Sequence, residues 1–350
     1  MTKNRSPILR FFLRLLAVLL VTLLIALGFV YGVMVLLCRG PSPTAKELFV
    51  LSTRETSAIG FLPRLCLSAE EIDEILSRQE TTLTESTDVS LITVPQQAPE
   101  DKSARDAWGY ADEDGDGLIL VPVTGESFTG HMLIVLDPAR VILGCIPESF
   151  HQKGYTVEQF AEHFGAVAGI NGGGFEDPGG MGNGSVPDTT TISYGVMYTG
   201  YQGPGIGFVG LDDKYILHVG LGSNDAIVKA NIQHGTGYGP VLVVNGEAVP
   251  PESLLSGLNP RTAIGQRSDG AILMLVINGR QPNSLGATYA DEVALMLRFG
   301  AVNACNLDGG TSSLMWFKDG YLGNSTTIVG IRTIPTCFLV MPEGGDSHES

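Results

Sequence analysis

The stretch Asn303-Ala304-Cys305-Asn306-Leu307-Asp308-Gly309-Gly310-Thr311-Ser312-Ser313 sets one carboxylate at the end of a short apolar run, followed by two glycines and three hydroxyls. A carboxylate so placed can serve as a base or a nucleophile. Gly309 and Gly310 allow positive φ and let a ligand approach backbone N–H groups closely. Thr311, Ser312 and Ser313 would bind sugar hydroxyls or phosphate oxygens, or simply finish the turn. The same text also spells a tight turn with a capping Asp, because Asp-Gly and Gly-Gly pairs are turn signals.

Further polar groups gather at element ends in the last third of the chain: Arg261 in Asn259-Pro260-Arg261-Thr262, Asn278 and Arg280 after an apolar run, and Arg332. A guanidinium matches phosphate or carboxylate oxygens in bidentate fashion, so three arginines in a chain poor in basic residues suit an anionic ligand better than a metal. Each arginine has the alternative of pairing with a structural carboxylate. No serine nucleophile elbow, P-loop, HExxH or dinucleotide fingerprint is present; Gly203-x-Gly205-x-Gly207 lacks the required spacing and following helix. His163, His218 and His234 are isolated and receive no catalytic or metal role. No metal or cofactor is expected.

The elements that must hold these residues follow from periodicity. Residues 301–306 read as a buried strand delivering Asp308 to a turn. The pattern recurs in Gly165-Ala166-Val167-Ala168-Gly169-Ile170-Asn171-Gly172-Gly173-Gly174, again after a helical repeat. Duplication, two strand ends facing one cleft, and chance all fit this recurrence. In the cleft arrangement Asn171, Gly172 and Gly173 would offer amide groups to a ligand. A helix opens at Thr156 with Val157, Phe160, Ala161 and Phe164 inward, and another covers 288–299 with Val293, Met296 and Leu297 inward. Strands are expected at 118–123, 131–136, 192–198, 207–209, 215–219, 226–230, 240–244 and 272–277. The polar loop 175–191 is long enough to cover a site. The fold class is α+β or α/β, a large mixed sheet flanked by a few helices.

Residues 15–37 are almost wholly apolar, long enough to cross a bilayer, and preceded by Lys3, Arg5, Arg10 and Arg14. They read as an uncleaved anchor with the N-terminus cytoplasmic and the remainder outside. A cleaved signal peptide is disfavoured by the length of the run and the lack of an A-x-A site. Leu37 is too large to precede a lipoprotein cysteine at Cys38. The expected organisation is a basic leader 1–14, an anchor 15–37, a juxtamembrane helix and spacer 38–107, a folded domain 108–342 and an acidic tail 343–350. Asp112-Glu113-Asp114-Gly115-Asp116-Gly117 resembles half of a calcium loop, but Val123 stands where a bidentate Glu belongs, so an acidic turn is expected. The five cysteines have no CxxC spacing and make no framework. The formal charge of −16 argues against a nucleic-acid partner.

Four ordered motifs carry a resemblance: Asn171-Gly172-Gly173-Gly174-Phe175, Asn259-Pro260-Arg261-Thr262-Ala263-Ile264-Gly265, Asn278-Gly279-Arg280-Gln281, and Gly300-Ala301-Val302 through Ser313. Together they look like the phosphodiester glycosidase family, over residues 110–342. The resemblance implies hydrolysis of a sugar-1-phosphodiester, N-acetylglucosamine-phosphate-like, between anomeric carbon and phosphate, releasing free sugar and phosphomonoester. The partner it implies is a phosphorylated glycan or cell-wall polymer, with the membrane engaged through the N-terminal helix. Asn278 stands where many members carry Asp, Thr311 replaces a third glycine, and Gly174 replaces a phenylalanine. A phosphate leaving group needs charge neutralisation more than a strong acid, which Arg261, Arg280 or Arg332 would supply, with Asp308 as base or nucleophile. The second carboxylate of ordinary glycosidases has three candidates, Asp188, Asp291 and Glu292. A surface module that binds phosphorylated glycan without cleaving it is the rival reading.

Overall fold

A computed structural model describes residues 7–54, 59–77, 87–95, 105–177, 182–200, 207–250, 254–323 and 330–344. Lys3, Arg5, Pro178-Gly179-Gly180, Gly203, Gly205, much of the spacer and most of the acidic tail lie outside the described residues.

Among the described residues the strands form three sheets, and every strand pairing is antiparallel. The class is α+β, with the strands divided among three sheets where a single large mixed one was expected. The first sheet runs β1 (Leu118–Thr124), β2 (Thr129–Val135), β13 (Ile272–Ile277), β12 (Arg261–Arg267), β14 (Ala301–Asn306), β10 (Val241–Val244) and β11 (Glu247–Ala248). The second runs β16 (Gly320–Leu322), β15 (Met315–Phe317), β4 (Ala168–Asn171), β17 (Thr336–Val340) and β3 (Val141–Cys145). The third runs β6 (Val196–Thr199), β5 (Thr191–Ser193), β9 (Ile232–Gly237), β7 (Phe208–Asp212) and β8 (Leu217–Val219). Strands β13, β12 and β14 are buried on both faces, which explains their near-continuous apolar text. One apolar cluster joins all three sheets, including Leu133, Met274, Cys305, Ile170, Phe338 and Val209.

Two helices begin as their sequences dictate. Thr156 and Gln159 form a capping box on α4 (Val157–Phe164), which Gly165 ends in the left-handed region. Thr288 and Asp291 cap α6 (Tyr289–Arg298) in the same way. Its inward face is Glu292, Val293, Leu295 and Met296, whereas Leu297 is exposed; the helix is rotated so that Leu295 takes the place expected of Leu297. The expected strand at 226–230 is instead helix α5 (Asn224–Lys229), because Ser223 accepts a hydrogen bond from the Ala226 N–H and caps it. The expected run 192–198 is a hairpin, β5 to β6, turning at Tyr194 and Gly195, both at positive φ.

Residues 87–95, inside the stretch read as a spacer, lie against the domain. Thr93 N–H donates to Ser268 O, Asp88 N–H to Asn245 Oδ1, and Ile92 and Val94 pack with Ile216 and Val302. Helix α1 (Pro7–Arg39) is long and apolar enough to cross a membrane. Its last turn joins a small cluster, in which Cys38 packs with Val50 and Leu51 of α2 (Pro43–Arg54) and Ile72 and Ile75 of α3 (Ala69–Ser77).

Candidate functional site

Strands β4 and β14 belong to different sheets, yet their C-terminal ends meet. Asp308 N–H donates to Gly172 O at 3.2 Å. Asn171, fully buried, clamps the junction: its Nδ2 donates to Asp308 O at 2.6 Å, while its Oδ1 accepts from Thr262 Oγ1 at 2.8 Å and Leu314 N–H at 3.2 Å. The two recurring Gly-Gly strand ends therefore face one place, one supplying the carboxylate and the other its clamp. Gly172 and Gly173 serve close packing. A Cβ on Gly172 would stand 2.4 Å from Thr336 Oγ1, and one on Gly173 2.2 Å from Thr236 Oγ1. The N–H groups of both glycines donate to Thr336.

Beyond Leu307 the chain turns through Gly309 and a 3-10 turn, Gly310–Ser312. Gly310 has φ +63° and donates its N–H to Pro260 O at 2.9 Å, so the Asn259-Pro260-Arg261 segment supports the turn from one side. Arg280 lies over that glycine: a Cβ there would be 3.3 Å from its Nη2, which itself donates to Asn259 Oδ1 at 3.1 Å. On the other side Arg332 donates to Thr311 Oγ1 at 3.1 Å, pairs with Asp177 at 2.5 Å and stacks on Phe175 at 5.0 Å. Arg332 thus holds the start of the polar loop against the Asp308 turn.

Arg261 is buried. Its guanidinium donates to Ala287 O and Gly257 O and lies 4.2 Å above the Tyr289 ring. Asn278 donates from its side chain to Thr129 Oγ1 at 3.3 Å and packs against Gly323, where a Cβ would be 2.3 Å from its Oδ1. The turn residues, Arg280 and Arg332 are therefore brought together, with Arg261 held by main-chain carbonyls and Asn278 against Thr129.

Tyr238 escaped the sequence reading. It follows β9 in Gly237-Tyr238-Gly239-Pro240, and its hydroxyl donates to Asp308 Oδ1 at 3.1 Å. Aromatic text between glycines at a strand end was the available signal. Burial pushes the Asp308 carboxyl up to about 6, opposed by hydrogen bonds from Ser312 and Tyr238 and by the Arg332 charge, and aided by the Asp188 charge. Burial, and then the neighbouring Asp308 charge, hold the Tyr238 phenol well above its ordinary value, so it remains a donor. Of the three candidate second carboxylates, Asp188 is the one whose charge acts on Asp308. Asp291 is committed to the α6 capping box, and Glu292 is buried in that helix's inward face.

Among the described residues, the grouping of three acidic ligands that could surround a cation is Asp112, Asp114 and Asp116. There Asp112 accepts from the N–H groups of Gly115 and Gly117, and Lys318 bridges Asp114 and Asp116, forming an acidic turn into β1. His218 is bonded to Asp212 at 3.0 Å, and His234 is buried in β9 under Tyr194. The cysteines are free, with Cys145, Cys305 and Cys337 buried.

Comparison with known proteins places this geometry. Over 198 residues the chain is 29% identical to the SPbeta prophage-derived uncharacterized protein YomE of Bacillus subtilis (strain 168), covering 54% of this chain but 30% of that relative, so this chain spans less than a third of its length. The fold is similar to the zebrafish N-acetylglucosamine-1-phosphodiester alpha-N-acetylglucosaminidase catalytic domain, a structure auto-inhibited by its pro-peptide. That match has a TM-score of 0.53 at 21% identity, over 64% of this chain and 82% of the other. A hypothetical protein from Synechocystis aligns with a TM-score of 0.47 at 16% identity, over 64% of this chain and 61% of that one. A model of the phosphodiester glycosidase family matches residues 164–341, about half the chain, including β4, β12, β14 and the turn that carries Asp308. This protein belongs to the phosphodiester glycosidase family.

Proposed function

We propose that the chain is a membrane-anchored hydrolase that cleaves a sugar-1-phosphodiester, N-acetylglucosamine-phosphate-like, in surface glycopolymers or exopolysaccharide. The observation that carries it is the convergence of two strand ends on Asp308, a carboxylate raised to about 6, with Arg280 and Arg332 on either side of its turn. The two guanidinium groups neutralise the departing phosphate. Asp308 faces the anomeric carbon and stabilises the positive charge that develops there as the bond to phosphate breaks. Thr311 and Ser312 orient substrate oxygens, and Asn171, Gly172, Gly173 and Arg261 keep the turn in place.

The anchor reading draws on the end of α1, which is folded into the membrane-proximal cluster: Arg39 pairs with Glu71 at 2.7 Å and donates to Cys66 O at 3.1 Å. Removing α1 as a signal peptide would strip Cys38 from that cluster. Basic residues before the helix favour a cytoplasmic N-terminus and an extracytoplasmic domain.

Asn278 favours the rival reading, a module that binds phosphorylated glycan without turnover. The test is the detergent-solubilised full chain given an α-linked N-acetylglucosamine methyl phosphodiester, with free sugar and methyl phosphate quantified. Turnover by the wild type and its loss in Asp308→Asn supports the hydrolase. Saturable binding without turnover supports the module.

A further inference from the structure

Gly174 and Asp188 form one local arrangement. Asp188 N–H donates to Gly174 O at 3.3 Å, which draws the loop after 182 back against the end of β4. A Cβ on Gly174 would lie 2.7 Å from Asp188 Oδ1, 3.2 Å from Asp188 Oδ2 and 3.0 Å from Tyr238 Cε2. The space a side chain would fill is thus occupied by the Asp188 carboxylate and the edge of the Tyr238 ring, the ring whose hydroxyl holds Asp308. Residue 174 is also where this chain departs from the Phe expected of the motif, so the glycine and the carboxylate belong together. Asp188 is exposed, whereas Asp308 is partly buried and held by two donors. Water therefore has access to the first carboxylate more readily than to the second.

We propose that Asp188 is the general base of the site, positioned through Gly174, and that it takes the proton of the attacking water; this rests on the hydrolase reading above. A lone pair of water forms the new bond to the anomeric carbon while the bond from that carbon to the phosphate oxygen breaks. The phosphomonoester departs with the bonding electron pair, and the water proton passes to an Asp188 carboxylate oxygen. Asp308 keeps its charge facing the sugar throughout. Two neighbouring candidates fit other tasks: Asp177 is paired with Arg332, and Asp291 caps α6.

The test uses the full chain in detergent with the same methyl phosphodiester, measuring kcat and KM with and without azide, an anion that attacks without needing a base. Asp188→Ala is expected to lower kcat by about 10²-fold or more while KM changes little, as for loss of a general base. Azide is expected to restore turnover about tenfold or more, with the glycosyl azide as product. Gly174→Ala, which pushes on the carboxylate, is expected to lower kcat in the wild type and to have no further effect in Asp188→Ala, the mark of a shared mechanism. Turnover of Asp188→Ala within about threefold of wild type overturns the proposal, as does a loss that azide leaves unrescued in a variant that still binds substrate. Independent effects of the two substitutions overturn the role given to Gly174. A wild type without turnover overturns the hydrolase reading and this proposal with it, whereas the other outcomes leave that reading standing.

Discussion

Asp308 is the residue where burial and chemistry meet. Its carboxyl is raised to about 6 chiefly by burial, so the ionised form that the proposed mechanism needs is lost at higher pH than for an ordinary carboxylate. Turnover is expected to fall as pH drops through about 6, and a pH profile of kcat/KM measures it; an acid limb near the ordinary value of about 4 would contradict this placement. Ser312, Tyr238 and Arg332 oppose the rise and Asp188 adds to it. Tyr238→Phe removes one opposing donor and is expected to move the acid limb upward; an unmoved limb would mean the hydroxyl does not act on the carboxylate. The native state also holds the Asp308 proton more tightly than the unfolded chain does. The group therefore favours folding below about pH 4, and its contribution is lost as pH rises through about 6. Asp308→Asn is expected to raise the melting temperature relative to wild type at pH 7.5 and not at pH 4, which thermal denaturation at the two pH values checks.

At the scale of elements, the site depends on two strands from separate sheets staying joined. Asn171 makes the join with three hydrogen bonds while fully buried, so Asn171→Ala leaves buried partners unsatisfied and is expected to cost about 2–4 kcal/mol in denaturant unfolding. A cost below about 0.5 kcal/mol, the range of an ordinary surface change, would show that the strand ends are held by other means. Both repeated strands and both capped helices were legible in the sequence, since apolar runs and helical periodicity are local signals. Leu297 was misplaced because the rotation of a short helix follows from what it packs against, and the 226–230 segment was misread although its Ser223 cap is a local signal. The Gly-Gly pair after Asn171 read as a ligand cradle; in the structure both N–H groups donate to Thr336, and only the approach of Thr336 and Thr236 reveals why a Cβ is excluded.

For the whole molecule, the polar segment before β1 is secured by a buried arginine. Arg267 is inaccessible, pairs with Asp106 at 2.6 Å and Asp269 at 2.5 Å, and lies 4.1 Å above the Trp108 ring. Removing one partner of a buried charge is costly, so Asp106→Ala is expected to destabilise the domain by about 2 kcal/mol or more, measured by urea unfolding. Residues 87–95 cover Ile216 and Val302 and contribute hydrogen bonds at Asn245 and Ser268. A chain begun at 105, which keeps Asp106, is therefore expected to melt below one begun at 87; equal melting temperatures would return that stretch to the status of a spacer.

Sequence by itself determined the elements with a local cause: the apolar helix α1, the caps of α4 and α6, the strands with uninterrupted apolar text, and the Asp-Gly-Gly turn at the end of one of them. It also supplied the motifs that carry the family resemblance. The company each polar group keeps was decided by tertiary structure alone. Asp188, Tyr238 and Asp308 are separated by tens of residues and come from three different segments, so no spacing rule links them. Arg261 and Arg280 are close in sequence and alike in type, yet one is buried against main-chain carbonyls and the other lies over Gly310. Burial and partner choice are properties of the packed sheets, and they decide which carboxylate is perturbed and which arginine faces its turn.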